Sequence, residues 1–158
     1  MQLFLMRHGE AGFDAPSDRE RELTETGRIQ TNFMANWLTK QVSHFDLVIV
    51  SPYLRAQQTW QAVSTHLPKP RKWLVNDDDI IPSGDPKMAI DIVLAYAEQY
   101  KADNVLVISH MPILGFMVSE LVPNMEPPLF ATSAVVHIDK HAQQSSFVTM
   151  IAPHQVAV

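Results

Sequence analysis

Three short segments of the chain concentrate residues suited to phosphate chemistry. They are Arg7-His8-Gly9-Glu10, Ser51-Pro52-Tyr53-Leu54-Arg55 and Ser109-His110. Arginine presents a planar fork that matches phosphate oxygens, and it keeps its charge. Histidine can act as nucleophile, base or hydrogen-bond donor near neutral pH. Two arginines and two histidines together describe a pocket for a phosphoryl group. Gly9 would let the backbone turn tightly or approach a ligand closely.

Each segment follows a short apolar run. Gln2–Met6, Asp46–Val50 and Asn104–Ser109 read as buried strands, the last two rich in β-branched residues and suited to burial on both faces. Thr24 is a helix N-cap, and helical spacing follows to about Lys40, with Ile29, Phe33 and Trp37 as the expected buried stripe. Ser51-Pro52 carries a cap-then-proline signature for a helix to about His66. Lys69–Val75 reads as a loop entering a short strand. Asp85-Pro86 opens a helix to about Tyr100, and Pro112 one to about Val122. Three prolines make 123–131 a loop, and Ser133–Ile138 with Ser146–Ile151 reads as a hairpin. Strands alternating with helices predict a three-layer α/β/α sandwich with a mainly parallel central sheet. Ligands bind such sheets beyond the carboxyl ends of the strands, where all three segments would converge.

Composition narrows the classes. The 158 residues suit one domain, taken as 1–158. Cysteine is absent, which excludes disulfides, cysteine zinc sites, iron–sulfur clusters and a cysteine nucleophile. A net charge of −5 argues against nucleic acid. Residues 1–72 nonetheless carry 9 Lys/Arg against 7 Asp/Glu, while 73–158 carry 3 against 10, so an anion site belongs to the first half. No apolar run reaches membrane-spanning length, and MQLFLMRHGE lacks the basic start of a signal peptide, which makes the cytoplasm the expected compartment.

The motifs resemble the histidine phosphatase superfamily, the phosphoglycerate mutase-like group. They are Arg7-His8-Gly9, then Leu23-Thr24-Glu25-Thr26-Gly27, then Ser51-Pro52-Tyr53-Leu54-Arg55-Ala56-Gln57-Gln58-Thr59, and finally Val107-Ile108-Ser109-His110. Further likeness, at Arg21-Glu22-Leu23-Thr24, Pro82-Ser83-Gly84-Asp85, Ser109-His110-Met111-Pro112, Pro127-Pro128 and Thr132-Ser133-Ala134, points to the small SixA-type phosphohistidine phosphatases. The resemblance implies that His8 is the nucleophile, and that Arg7, Arg55 and His110 bind the phosphoryl group. Arg21 matches an additional phosphate-binding residue. A backbone carbonyl of the same turn is expected to fix the His8 tautomer. The position of the general acid in larger relatives falls on Asp79, with Glu10 and Asp18 as alternatives. No cofactor or metal is implied. The expected substrate is a phosphohistidine-bearing protein, such as a histidine phosphotransfer domain or a phosphotransferase-system carrier, with no nucleic acid or membrane partner. Only 54 residues separate Arg55 from His110, and predicted elements fill them. No helical lid insertion is therefore expected, and an open pocket suits phosphate presented on a protein.

Other features take plainer readings. His44, His66 and His154 have no chemical company. His137 and His141 have a zinc spacing only on a helix, and they straddle a strand end. Asp77–Asp79 could suggest an aspartate nucleophile or a magnesium site, but reads as a solvated acidic loop. Walker A, GxGxxG and GxSxG motifs do not occur. Two other functions stay open: a phosphomonoesterase for small metabolites or phosphoserine, and a non-catalytic phosphate-binding module.

Overall fold

Six strands pair into one sheet in the order β3-β2-β4-β1-β5-β6. They are β1 (Gln2–Arg7), β2 (Leu47–Val50), β3 (Lys72–Val75), β4 (Asn104–Ser109), β5 (Val135–Lys140) and β6 (Ser145–Ile151). The computed structural model describes residues 1–156. The first four strands run parallel; β5 and β6 form an antiparallel hairpin against β1. The helices are α1 (Glu25–Gln41), α2 (Leu54–Ser64), α3 (Pro86–Gln99), α4 (Ile113–Leu121) and the short α5 (Pro153–Val156).

Alternation along the strands builds both faces of the sheet. Leu3, Leu5, Ile49, Val105 and Val107 pack with Ile90 and Val93 of α3 and Leu114 and Met117 of α4. Phe4, Met6, Val48, Leu106 and Ile108 pack with Met34 and Leu38 of α1 and Ala56 and Val63 of α2. The result is the expected three-layer sandwich. Leu3, Phe4, Leu5 and Met6 are all essentially inaccessible, and each such side chain contributes roughly 1.5–3 kcal/mol by leaving water. Among the described residues, no helix is long and apolar enough to cross a membrane.

Two details of the sequence reading need correction. The buried face of α1 is Gly27, Thr31, Met34, Ala35 and Leu38, whereas Ile29 is 48% and Phe33 41% exposed, and Trp37 only packs partly against the core. The rotation of α1 follows from Gly27, where a Cβ would stand 2.2 Å from the Glu10 carbonyl oxygen. The helix must turn its smallest residue toward the β1–α1 turn, which places Ile29 roughly 200° away around the axis. The other correction concerns α2. It begins at Leu54, with Tyr53 at the N-cap and no side-chain cap bond, while the Ser51 hydroxyl lies outside the helix between Tyr53 N–H and His110 Nε2. The caps at Thr24, accepting from Gly27 N–H at 2.9 Å, and Asp85, accepting from Lys87 N–H at 2.9 Å, form as expected.

Register brings the three motif segments to one level. Arg7 lies opposite Ser109, and Val50 opposite Ile108. Just past the strand ends, His8 N–H donates to the Ser109 carbonyl at 3.0 Å and Ser51 N–H to the Ile108 carbonyl at 3.0 Å. The chain between Arg55 and His110 is the remainder of α2, β3, α3 and β4, with no inserted helical lid.

Candidate active site

A cavity of about 360 Å³ opens beyond the ends of β1 and β4, lined in part by Arg7, His8, Arg21, Arg55 and His110. All five were expected in the site from sequence. A second cleft of about 410 Å³ lies between Trp60 and Trp73, but its only charged residue is Lys69, so it lacks comparable chemistry.

His8 is 6% exposed. Its Nδ1 lies 2.7 Å from the carbonyl oxygen of Gly9, and its Nε2 lies 3.2 Å from Arg55 Nε. Arginine Nε is always a donor, so His8 Nε2 holds a lone pair and the proton sits on Nδ1. The carbonyl of the same turn thus fixes the tautomer. Burial, reinforced by Arg55, Arg7 and Arg21, pushes the His8 pKa down to about 4 despite the opposing Gly9 bond. The ring is therefore neutral, with Nε2 nucleophilic, at physiological pH.

Gly9 contributes through its carbonyl and its lack of a side chain. It does not line the cavity. A Cβ there would stand 2.8 Å from Thr31 Oγ1 and 3.0 Å from the Gly27 carbonyl, so the glycine serves close packing of the turn on α1. Its N–H donates to Thr59 Oγ1 at 3.0 Å, and that hydroxyl donates to the Arg55 carbonyl at 2.7 Å. One threonine thereby ties the His8 turn to the α2 turn bearing Arg55.

The arginines are held by oxygens on their outer sides. Arg7 Nη1 donates to the Phe130 carbonyl at 2.8 Å. Arg55 donates through Nη1 to the Asp18 carbonyl at 2.6 Å and through Nη2 to Asp18 Oδ2 at 3.3 Å. Arg21 donates to the Gly12 carbonyl, the Ala11 carbonyl and Asp18 Oδ1. Asp18 therefore bridges two of the cavity's arginines. Its carboxyl is held below the usual range, chiefly by the Arg21 bond, so it is an ionised clamp and a poor proton donor. Burial and then the Arg55 and Arg21 charges lower Arg7; burial likewise lowers Arg55 despite Asp18.

His110 is 1% exposed, with its ring centroid 5.0 Å from that of His8. Its Nε2 lies 2.6 Å from Ser51 Oγ. Ser51 Oγ already accepts from Tyr53 N–H at 3.2 Å. Among the described residues, the fully buried hydroxyl has no other acceptor for its proton than His110 Nε2. Ser51 therefore donates, and the His110 proton resides on Nδ1. Among the described residues, that nitrogen and Arg7 Nε are buried without a partner. Two unpaired donors on residues that line the same cavity as His8 suit the oxygens of a phosphoryl group. Burial, followed by the charges of His8 and the arginines, pushes His110 down to about 2.

The expected general acid is not brought here. Asp79 does not line the cavity; its Oδ2 accepts from Asn76 Nδ2 at 3.3 Å within the β3–α3 loop. Glu10 does line it, and its Oε1 accepts from Thr24 Oγ1 at 3.0 Å. Sequence reading missed Ser51 as a partner of His110, since its place before a proline looked like a cap. It also missed Thr59 and the clamping role of Asp18. Among the described residues, no group of three or more His, Cys, Asp or Glu could hold a metal.

Comparison with known proteins agrees with this geometry. Residues 3–76 match the model of the histidine phosphatase superfamily, branch 1. The chain is 40% identical over 141 residues to the phosphohistidine phosphatase SixA of Escherichia coli, covering 87% of this chain and 84% of that protein. It is 34% identical over 148 residues to the SixA homolog of Haemophilus influenzae, covering 87% of each. Among solved structures, the protein histidine phosphatase SixA complexed with tungstate superimposes with a TM-score of 0.91 at 38% identity, covering 98% of this chain and 99% of that one. With its neutral histidine set among arginines at the edge of a mainly parallel sheet, the chain belongs to the histidine phosphatase superfamily, and within it to the SixA group of phosphatases.

Proposed function

We propose that this chain is a protein phosphohistidine phosphatase working through a phospho-His8 intermediate. The observation that carries the reading is the pairing of a lone pair on His8 Nε2 with unpaired buried donors at Arg7 Nε and His110 Nδ1. His8 Nε2 attacks phosphorus, the P–N bond of the substrate breaks, and its electron pair leaves with the substrate imidazole. Arg7, Arg21, Arg55 and His110 neutralise the phosphoryl oxygens as charge shifts from leaving group to nucleophile. Arg55 Nε must release His8 Nε2 and turn to a phosphoryl oxygen as the new bond forms. Water then attacks the phospho-His8 phosphorus, giving inorganic phosphate and neutral His8. A protonated substrate imidazole leaves without an added acid, which accords with Asp79 standing outside the cavity wall and Asp18 being ionised.

The substrate class follows from relatives and from access. SixA is named a phosphohistidine phosphatase, and tungstate is a tetrahedral oxyanion like phosphate. With no inserted lid, the cavity can receive a phosphoryl group carried on a protein. The partner we propose is a cytoplasmic phosphohistidine-bearing signalling or phosphotransfer protein. The test offers a phosphohistidine-bearing protein domain and an aryl phosphate, with chelator present, to the wild type and to His8→Ala. We expect fast, His8-dependent loss of phosphohistidine and little ester hydrolysis. Comparable ester hydrolysis would turn the reading toward a phosphomonoesterase, and wild-type rates in His8→Ala would remove His8 as nucleophile.

A further inference from the structure

The phosphoryl chemistry leaves without a task one apolar side chain on the cavity wall and a second on the segment that holds Arg7. Phe13 is on the cavity wall yet 84% exposed, and Leu129 is 82% exposed. The Phe13 ring lies 4.1 Å from the Arg21 guanidinium carbon, and three hydrogen bonds fix that guanidinium to Ala11, Gly12 and Asp18. Leu129 directly precedes Phe130, whose carbonyl holds Arg7 Nη1, and Thr132 of the same segment lines the cavity. Each exposed apolar group is thus tied through a neighbour to an arginine of the phosphate site.

Exposed apolar groups next to a binding site mark places where another surface lands. A phosphoryl group alone is engaged inside the cavity and has no use for an outer apolar rim. A phosphohistidine on a protein surface brings its flanking side chains with it. The rim carries both signs, with Arg21 under Phe13, Asp18 bonded to Arg21 and Glu10 on the cavity wall.

We propose that Phe13 and Leu129 dock apolar side chains flanking the phosphohistidine of a protein substrate. The proposal rests on the phosphohistidine reading above and adds how the protein around the phosphoryl group is recognised. Stacking of Phe13 on the Arg21 guanidinium limits the entropy lost there on contact. The docking energy is then spent on binding the protein and leaves the chemical step unchanged.

The test compares kcat/KM for a phosphohistidine-bearing protein domain with that for phosphoimidazole, in wild type, Leu129→Ser and Phe13→Ser. Leu129→Ser should lower the value for the protein by about tenfold, through KM, and leave phosphoimidazole within about twofold. Phe13→Ser should lower the ratio of protein to phosphoimidazole activity by at least about tenfold. Parallel losses on both substrates, or no loss on the protein, overturn the proposal. So does a result in which the substitutions dissociate a wild-type dimer in sedimentation and leave the protein KM unchanged, since the rim would then cover a second copy of the chain. Wild type inert toward both P–N substrates overturns the phosphohistidine reading itself, and this is visible before any variant is compared.

Discussion

The turn after β1 and the loop after β3 begin alike and end differently. Both leave parallel strands of the same sheet at their carboxyl ends. Both start with a bond to the neighbouring strand, from His8 N–H to the Ser109 carbonyl and from Asn76 N–H to the Val50 carbonyl. After β1, the side chains then project into a shared cavity and are gripped by other elements. After β3, the loop closes on itself. Asn76 Oδ1 accepts from the N–H groups of Asp78, Asp79 and Ile80, and Asn76 Nδ2 donates to Asp79. The difference lies in the position of the strand. β1 stands between β4 and β5, with the turns after β2 and β4 close by, whereas β3 is an edge strand. A polar residue beyond a strand end becomes part of a site only where several strand ends meet.

The strongest way to break this comparison is at the shared cavity. Arg55→Ala should cost about 10²–10³ in kcat on a phosphohistidine protein, as expected for removal of one donor to developing charge. A loss below tenfold would mean that Arg55 serves only to hold the Asp18 loop.

The two buried histidines predict a pH effect on stability. Their folded pKa values, about 4 for His8 and about 2 for His110, lie below the usual 6.5. Below pH 6.5 the unfolded chain binds protons that the native state refuses. Stability is therefore intact above 6.5 and declines as pH falls toward 4, with His110 extending the decline further. Each histidine contributes up to about 1.4 kcal/mol per pH unit over that range. Denaturation midpoints at pH 7 and 5.5 test this, and His110→Asn should flatten the slope. An unchanged slope in that variant would place the proton uptake elsewhere.

Ser51→Ala sharpens the comparison at a smaller scale. It removes the hydrogen bond that keeps the His110 proton on Nδ1, so kcat should fall by about tenfold, and the thermal midpoint should drop by a few degrees because His110 Nε2 and Tyr53 N–H lose their partner. Nitrogen NMR of the His110 ring should show its proton no longer confined to Nδ1. Retention of both kcat and tautomer would show that Ser51 only fills space.

The smallest effect belongs to the β3 loop. Asp79→Asn should leave phosphohistidine turnover within about twofold, because proton transfer needs hydrogen-bond reach of the reacting atoms and Asp79 stands outside the cavity wall. A drop of an order of magnitude would restore Asp79 as an acid reached through loop movement.

Much of the fold was legible along the chain, and unevenly so. The strands Asp46–Val50 and Asn104–Ser109 were readable because burial on both faces demands continuous apolar runs. The caps at Thr24 and Asp85 were readable because they depend on neighbours two or three residues away. The stripe of α1 was misjudged because 29, 33 and 37 and the true face 27, 31, 34, 35 and 38 both have helical spacing. The Gly27 contact with Glu10, distant in sequence, selects between them. Ser51 was read locally as a cap, yet its hydroxyl belongs to a histidine 59 positions away.

The sequence by itself determined the alternating architecture, the placement of Arg7, His8, Arg55 and His110 after parallel strands, and the kind of ligand those groups suit. These depend on side-chain chemistry and short-range periodicity, which the linear order contains. Only the tertiary structure decided which His8 nitrogen is free, where the His110 proton sits, that Asp18 is a clamp, and that Asp79 stands apart. Each of these depends on which buried donors and acceptors find partners, and those partners come from segments that only the folded sheet brings together.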